Sequence, residues 1–237
     1  AKPHKIPPLK PRTSILLLIA LSIHNFSPSS PNKPAMTKLL LTSLLLLCAT
    51  ISTAAAPANP RSSAAAAAAA ASFIKSSCSA TTYPALCVQS LLSYAPTIQR
   101  SPKQLAQAAL AVSLSRAQST RSYVRALARF EGLRPREKAA IRDCVGEIGD
   151  TVDRLGKSIR EMKAMGEKRS GPRFEWHFGN VATWVSAALT DANTCVDGFA
   201  GKALNGRMKS GIEARFTNAA QFISNALALV NKYGGGH

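Results

Sequence analysis

The sequence predicts an all-α protein: an antiparallel, up-down-up-down four-helix bundle with an N-terminal helical hairpin arm and two disulfides. Apolar residues recur at three- and four-residue spacings through four long segments, whereas the alternation typical of strands is weak. Short connections between these segments favour antiparallel neighbours. Cys144 and Cys195 lie equally far from a loop signal at residues 168–172. Two antiparallel helices joined there would bring these cysteines to the same height.

Composition favours closely packed helices and an acidic partner. Hydrophobic residues make up 46% of the 237 residues, enough for a core, whereas aromatic residues make up only 6%. The net charge is +18, and residues 1–56 contribute six basic groups and no acid, which leaves +12 for the rest. Such a charge attracts acidic partners at long range without identifying them.

Two N-terminal segments are predicted not to belong to the folded domain. Met36 is the first methionine, and it precedes a lysine, the apolar run Leu39–Ile51 and small residues at 52–56. This order is typical of a secretory signal peptide, which we assign to residues 36–56. The apolar run is shorter than an ordinary membrane span, which disfavours an anchor. Residues 1–35, rich in Pro, Ser and Lys, are interpreted as a disordered upstream segment, with a longer targeting region as the alternative.

Removal of the signal peptide would take Cys48 and leave an even set of four cysteines. Behind a secretory signal, an even set favours disulfides over free thiols. The sequence contains neither a C-x-x-C pair nor a Cys/His cluster with zinc spacing. We therefore predict no metal and no cofactor.

The chain after the signal is predicted to begin with a linker and an Ala-rich segment at residues 57–71. Its octad Ala64–Ala71 is an excellent helix former. A second short helix fits the stretch after Pro84, because proline suits a first helical turn. Cys78 and Cys87 flank the break between the two helices. A bridge between them would fold this arm into a small hairpin.

Four longer helices are predicted over about residues 101–130, 135–166, 174–196 and 211–233. Ser101 is suited to cap the first helix, Pro102 fits its first turn, and Gly132 marks its exit. The inward positions are those that repeat along one helical face. They are Ile141, Cys144, Ile148, Val152, Leu155, Ile159 and Met162 in the second helix; Val181, Trp184 or Val185, Ala188, Ala192 and Cys195 in the third; and Ile212, Phe216, Ala219, Ile223, Leu227 and Val230 in the fourth.

Residues 72–233 resemble the plant invertase and pectin methylesterase inhibitor family. The resemblance depends on short segments that occur in order around the four cysteines. They are Phe73-Ile74 with Ser77-Cys78, Tyr83-Pro84-x-Leu86-Cys87, Asp143-Cys144 with Glu147 and Asp150–Leu155, Trp184–Thr190, Thr194-Cys195 with Asp197–Phe199, and Asn225–Val230. Each segment alone is a weak signal, whereas the ordered set is specific.

The resemblance implies the disulfides Cys78–Cys87 and Cys144–Cys195, which are also the pairs that spacing favours. It implies an inhibitor in the cell wall that is not itself an enzyme and binds its target one to one over the active-site cleft. Pectin methylesterase is the favoured target, because the stretch from Trp184 to Phe199 is closer to that branch. Acid invertase is the alternative target, and we expect the inhibitor to be a monomer.

One segment favours the invertase branch. Invertase inhibitors of the family carry a Pro-Lys-Phe loop before the third bundle helix, and the equivalent residues here are Pro172, Arg173 and Phe174. A planar guanidinium in place of a compact ammonium is not a conservative change in a tight cleft. These three residues are candidate partner contacts. The alternative interpretation is a loop proline, a surface base and an aromatic residue at a helix start.

Catalytic chemistry has little support in the sequence. No phosphate-binding, zinc-protease or serine-hydrolase motif occurs after residue 56. His177 fits a surface or capping role better than the role of a general base. Asp150 and Asp153 fit a solvated helix face better than a pair of acid–base carboxylates.

A basic cluster surrounds the first turn between the long helices. Its members are Arg116, Arg121, Arg125, Arg129, Arg134, Arg136, Lys138 and Arg142. A solvated face is the default interpretation, and contact with an acidic enzyme rim or with acidic pectin is the alternative. A module that grips pectin directly is therefore a second alternative function. Nucleic acid is disfavoured because no aromatic stacking platform accompanies the bases, and no membrane contact is expected after signal removal.

Overall fold

Seven α-helices and one 3₁₀ turn make up the part of the chain that the structure describes. The structure is a computed structural model, and it describes residues 60–166, 169–198 and 206–235. The helices are α1 (Pro60–Cys78), α2 (Pro84–Leu91), α3 (Ala95–Ile98), α4 (Pro102–Leu127), α5 (Pro135–Ala164), α6 (Pro172–Asp197) and α7 (Arg207–Gly234), with the 3₁₀ turn Leu92–Tyr94 between α2 and α3. No strand occurs in these ranges, and none of their helices is long and apolar enough to cross a bilayer. The predicted signal peptide and upstream segment lie outside them.

Proline and glycine set where the long helices begin. Pro102, Pro135 and Pro172 each occupy a first turn, where the N–H that proline lacks would have no partner within the helix. The Ser101 hydroxyl accepts a hydrogen bond from the Gln104 N–H at 3.3 Å, which confirms the predicted cap. The connections before α5, α6 and α7 each contain a glycine at positive φ, a backbone region that other residues rarely adopt: Gly132, Gly171 and Gly206.

Helices α4 to α7 form a four-helix bundle in which each helix packs against the next and α7 packs back against α4. Contacts across the helices show their directions. The Lys103 ammonium near the start of α4 donates to the Met165 carbonyl just after α5, at 2.6 Å. The Phe174 ring at the start of α6 meets the Tyr233 ring at the end of α7, with centroids 5.8 Å apart. α4 and α5 therefore run in opposite directions, and so do α6 and α7.

The core contains the predicted helical faces with two differences. Of the two alternatives predicted in α6, Val185 is buried and Trp184 is only partly buried. Ile159 and Leu227 are only partly buried and pack at the margin of the core. In α5 the inner position is filled instead by the small Ser158, whose hydroxyl donates to the backbone of its own helix at 2.9 Å. A small residue at that height permits close approach of the neighbouring helix.

The arm consists of α1, α2 and α3. α1 packs against α2, α3 and α7, and the predicted disulfide Cys78–Cys87 joins α1 to α2 with a Cα–Cα distance of 5.6 Å. α1 begins at Pro60, inside the segment predicted as a linker. The alanine octad explains this, because a strong helix former allows the helix to extend into flanking residues of ordinary propensity.

Candidate binding surface

A disulfide and a hydrogen bond connect α5 and α6 through their buried faces. The predicted disulfide Cys144–Cys195 joins them with a Cα–Cα distance of 5.0 Å. Two turns further along α5, the buried Thr151 hydroxyl donates to the Glu147 carbonyl of its own helix at 2.9 Å and shares this proton with the Ala188 carbonyl of α6 at 3.4 Å. These links fix the register of the two helices, because sliding one helix would break both.

An ion pair and a contact between a histidine and a carboxylate continue the connection toward the other end of α5 and α6. Arg154 Nε donates to Asp191 Oδ2 at 2.7 Å, and the His177 ring contacts the Glu161 carboxylate. His177 is half-buried and paired, whereas the sequence predicted a surface or capping residue. The sequence did not reveal this pair because its partner comes from another helix. The α5–α6 pair is thus held along most of its length.

A shallow groove of about 310 Å³ lies beside the Cys144–Cys195 bridge. It is lined by the disulfide, by small residues and by Asp143, Glu147 and Thr194. Asp143 and Thr194 are exposed, and Glu147 is half-buried. Carboxylates, a hydroxyl and small side chains on a rigid support suit contact with another protein. We call this outer face of α5 and α6 the α5–α6 surface.

Two carboxylates of the α5–α6 surface, Glu147 and Asp191, hold protons more readily than ordinary carboxylates. Burial raises the pKa of the Glu147 carboxyl, and the neighbouring Asp191 and Asp150 carboxylates raise this pKa further. Burial also raises the pKa of Asp191, because the opposing effect of the Arg154 guanidinium is smaller. As pH falls, this face therefore loses negative charge earlier than a fully solvated acidic face would.

The predicted contact segment Pro172–Phe174 divides into an exposed part and a buried part. Pro172 is the first residue of α6, not a loop residue, and it is exposed together with Arg173. The Phe174 side chain is only 4% exposed, and its ring stacks on Phe178 with centroids 6.0 Å apart. The aromatic residue therefore fills the joint between α6 and α7. Only Pro172 and Arg173 are available to a partner.

An exposed aromatic residue, which was not predicted from the sequence, lies close to this segment. The Trp176 side chain, in the first turns of α6, is 69% exposed. Exposed tryptophan is a frequent anchor in protein interfaces. The sequence could not identify it, because Phe174, Trp176 and Phe178 are all aromatic and their order does not show which one faces outward.

The predicted basic cluster divides among several surfaces. Arg134 pairs with Glu137 at 2.6 Å, and the Arg116 guanidinium lies over the Phe222 ring, 5.0 Å from its centroid. Arg125 and Arg129 are exposed, which fits the default interpretation of a solvated face. Within the described ranges, no three His, Cys, Asp or Glu side chains come together in a way that would hold a metal ion.

Several known proteins are similar to this chain. The family model described as plant invertase/pectin methylesterase inhibitor matches residues 72–229. Pectinesterase inhibitor 11 of Arabidopsis thaliana is 51% identical over 162 residues, which cover 68% of this chain and 80% of that protein. A 21 kDa protein of Daucus carota is 49% identical over 165 residues, which cover 70% of this chain and 85% of that protein.

A solved structure has the same fold. The crystal structure of mutant form A of a pectin methylesterase inhibitor from Arabidopsis matches with a TM-score of 0.52 at 23% identity, covering 65% of this chain and 92% of that one. The family model spans more than half of the chain and includes all four cysteines of the two disulfides. This chain belongs to the plant invertase/pectin methylesterase inhibitor family.

Proposed function

We propose that this protein is a secreted inhibitor of pectin methylesterase that binds the enzyme one to one and covers its active-site cleft. Its membership of an inhibitor family is the observation that carries the proposal. Relatives named pectinesterase inhibitor are 51%, 45% and 41% identical to it. By covering the cleft, the protein slows the removal of methyl esters from pectin, and it performs no chemistry of its own.

We place the contact mainly on the α5–α6 surface. The disulfide and the bonds from Thr151 and Arg154 hold this face in one shape. A face that is already rigid loses little conformational entropy when it docks. The groove beside the disulfide leaves Asp143 and Thr194 exposed for hydrogen bonds with a partner.

Acid invertase is the weaker alternative target. Its support is the segment Pro172–Phe174, which is similar to the Pro-Lys-Phe loop of invertase inhibitors. Phe174 packs inside the joint between α6 and α7, so only Pro172 and Arg173 remain for a contact. The identity to relatives named pectinesterase inhibitor favours the esterase.

Secretion to the cell wall is part of the proposal. It is supported by the signal peptide predicted at residues 36–56 and by two disulfides, which persist in oxidising compartments. Mass spectrometry of the secreted protein should find a mature N-terminus close to residue 57. A mature N-terminus upstream of residue 36 would contradict the signal peptide. Size-exclusion chromatography with light scattering tests the expected monomer.

The target is tested by titrating the purified protein into pectin methylesterase and, separately, into acid invertase. We expect esterase activity to fall to a residual level at one inhibitor per enzyme, with invertase activity unchanged. Inhibition of invertase alone would replace the first target with the second. Failure to inhibit either enzyme would refute the inhibitory function.

The docking face is tested by adding bulk to it. Thr194 and Ser122 are both exposed, and each hydroxyl donates to its own helix four residues back at 3.0 Å. Thr194 lines the groove of the α5–α6 surface, whereas Ser122 belongs to α4. We expect T194W to weaken esterase inhibition by at least about tenfold and S122W by less than about twofold. Equal effects of the two variants would place the contact elsewhere.

A further inference from the structure

We propose that a groove formed by α4, α7 and the end of the arm binds a linear acidic polysaccharide that carries carboxylates along its length, a polyuronate. The groove is built from other elements than the α5–α6 surface. The inference therefore goes beyond inhibition, and it holds whether or not the protein inhibits the esterase. Ser93, Tyr94, Arg116, Ser119, Tyr123 and Arg215 define this basic groove.

The basic groove consists of two depressions that share residues. One has a volume of about 490 Å³ and lies between α4 and α7, where Tyr123 and Arg215 line it. The other has a volume of about 430 Å³ and lies between α4 and the 3₁₀ turn, where Tyr94 lines it. Arg116 and Ser119 line both depressions, so the two form one path.

The basic groove has the length of an extended ligand. Its residues on α4 run from Val112 to Tyr123, a distance of about 17 Å along the helix. Gly211 of α7 allows the two helices to approach here, because a Cβ at this position would collide with the Tyr123 hydroxyl. A path of this shape suits a chain of several sugars better than a compact ion.

Two arginines are held in the basic groove by aromatic rings. The Arg215 guanidinium carbon lies 4.1 Å from the Tyr123 ring centroid, and that of Arg116 lies 5.0 Å from the Phe222 centroid. Stacking holds the guanidinium plane and leaves its N–H edges directed away from the ring. Among the ion pairs of the described residues, none involves Arg116 or Arg215. Both side chains are exposed.

The chemistry of the basic groove matches a uronate. A guanidinium binds a carboxylate through two parallel hydrogen bonds, and it does so best when the side chain is already oriented. Hydroxyl groups of Ser93 and Ser119 and the Asn218 amide provide partners for sugar hydroxyls. Tyr94, 41% exposed, offers an apolar ring face with a polar tip. Among the residues that the structure describes, no acidic one lines either depression.

Other polyanions fit the basic groove less well. A single-stranded nucleic acid uses a series of free aromatic faces for its bases, but Arg215 already covers one face of Tyr123. An anionic membrane surface would favour exposed apolar residues next to the bases. Serine, asparagine and tyrosine side chains predominate here, and Val112 and Ala214 are the apolar side chains of the lining.

The proposal is tested with the purified protein and a fluorescently labelled oligogalacturonate long enough to span the basic groove. We expect saturable binding, measured by anisotropy, that weakens as NaCl is raised from about 0.05 M to about 0.3 M. The fully methyl-esterified oligomer should bind at least about tenfold more weakly, because it has lost the carboxylates.

Three double variants separate the basic groove from net charge. R116Q/R215Q should weaken binding at least about tenfold, since two charge-assisted contacts are lost. R125Q/R129Q removes the same charge from exposed positions outside the groove and should weaken it less than about twofold. R116K/R215K keeps the charge but loses the planar fork, so we expect an intermediate loss. Circular dichroism checks that each variant is folded, and Y94A provides a further variant in the groove.

Several outcomes would overturn the proposal. Equal losses of binding in R116Q/R215Q and R125Q/R129Q would show that net charge, and not the basic groove, causes the binding. Equal binding of the methyl-esterified oligomer would exclude carboxylate recognition, and tighter binding of heparin or single-stranded DNA with the same variant dependence would assign the groove to another polyanion. Esterase inhibition is measured on the same variants and should not change. Binding without inhibition would refute the proposed function and leave the basic groove intact.

Discussion

Asn225 ties the arm to the bundle through both polar atoms of its side chain. Its Oδ1 accepts a hydrogen bond from the Tyr83 N–H and its Nδ2 donates to the Tyr83 carbonyl, each at 2.9 Å. Asn225 is buried, and the loss of its amide would remove both bonds. The Tyr83 N–H would then lose this partner, whereas the Tyr83 carbonyl would still accept from the Cys87 N–H at 3.0 Å. The sequence contains Asn225 in a segment typical of the family, but its partner is 142 residues away.

The two hydrogen bonds between Asn225 and Tyr83 predict a measurable loss of stability. Asn225→Ala should lower the free energy of unfolding by about 1–3 kcal/mol, because both bonds disappear and the Tyr83 N–H loses its partner. Chemical denaturation followed by circular dichroism measures it. Asn231→Ala, exposed on the same helix, is the control and should change stability by less than about 0.5 kcal/mol. Equal losses of stability in the two variants would show that the bonds between Asn225 and Tyr83 do not stabilise the fold.

Glu147 and Asp191 predict that the fold gains stability on mild acidification. Their pKa values are raised in the folded state, so the folded protein binds more protons than the unfolded chain between the raised pKa and the ordinary value of about 4. The destabilising charge is fully present above that window and disappears as pH falls through it. Glu147→Gln should raise stability at neutral pH and flatten this dependence.

Denaturation midpoints measured across the acid range test this expectation. Asp153→Asn provides the control, because Asp153 is an exposed acid on the same helix. The expectation fails if Glu147→Gln leaves the pH dependence unchanged, or if Asp153→Asn flattens it as much.

At the scale of elements, the joint between α6 and α7 depends on a glycine, because only a residue without a side chain leaves room for the opposing ring. Gly234, at the end of α7, lies against the Phe178 ring of α6, and a Cβ at this position would overlap that ring. Phe178 in turn stacks on Phe174. Gly149, within α5, has open space where its Cβ would be. Local sequence does not reveal this difference, because it depends on whether a side chain of a neighbouring helix lies opposite the glycine.

Alanine substitutions should therefore have opposite effects at these two positions. Gly234→Ala should lower the free energy of unfolding by about 1–3 kcal/mol through overpacking. Gly149→Ala should raise it by about 0.5–1 kcal/mol, because alanine is the better helix former. Thermal unfolding of both variants measures the difference. A neutral or stabilising Gly234→Ala would show that the joint is not tightly packed.

At the scale of the whole molecule, the two disulfides stabilise the protein unequally. They close loops with sequence separations of 51 for Cys144–Cys195 and 9 for Cys78–Cys87. Restriction of the unfolded chain contributes about 4 kcal/mol for the longer loop and about 2.7 kcal/mol for the shorter one. Domains are stable by only about 5–15 kcal/mol, so the longer bridge is a large fraction of the total.

Removal of each bridge should follow this order. C144A/C195A should lower the unfolding midpoint more than C78A/C87A, and it should also weaken esterase inhibition because the α5–α6 surface loses its covalent support. Urea denaturation and inhibition titrations measure the two effects. A larger loss of stability from C78A/C87A would show that contacts of the arm, and not loop length, decide the ranking.

Sequence analysis predicted the helical class, the four long helices, the Ser101 cap and both cysteine pairs. These features arise from residues a few positions apart or from positions symmetric about one loop, so periodicity and spacing are enough to predict them. The family segments, which occur in order along the chain, predicted the family in the same way. The acidic partner that the net charge indicates stays a prediction.

Other features were decided only by the tertiary structure. Phe174 is buried, whereas Trp176 is exposed. The His177 ring contacts the Glu161 carboxylate. Arg116 lines a groove between α4 and α7, whereas the sequence placed it in a basic cluster at a turn. Each of these depends on which surface another helix presents at that height. That choice is made by packing between segments far apart in the chain, and a local pattern contains no information about it.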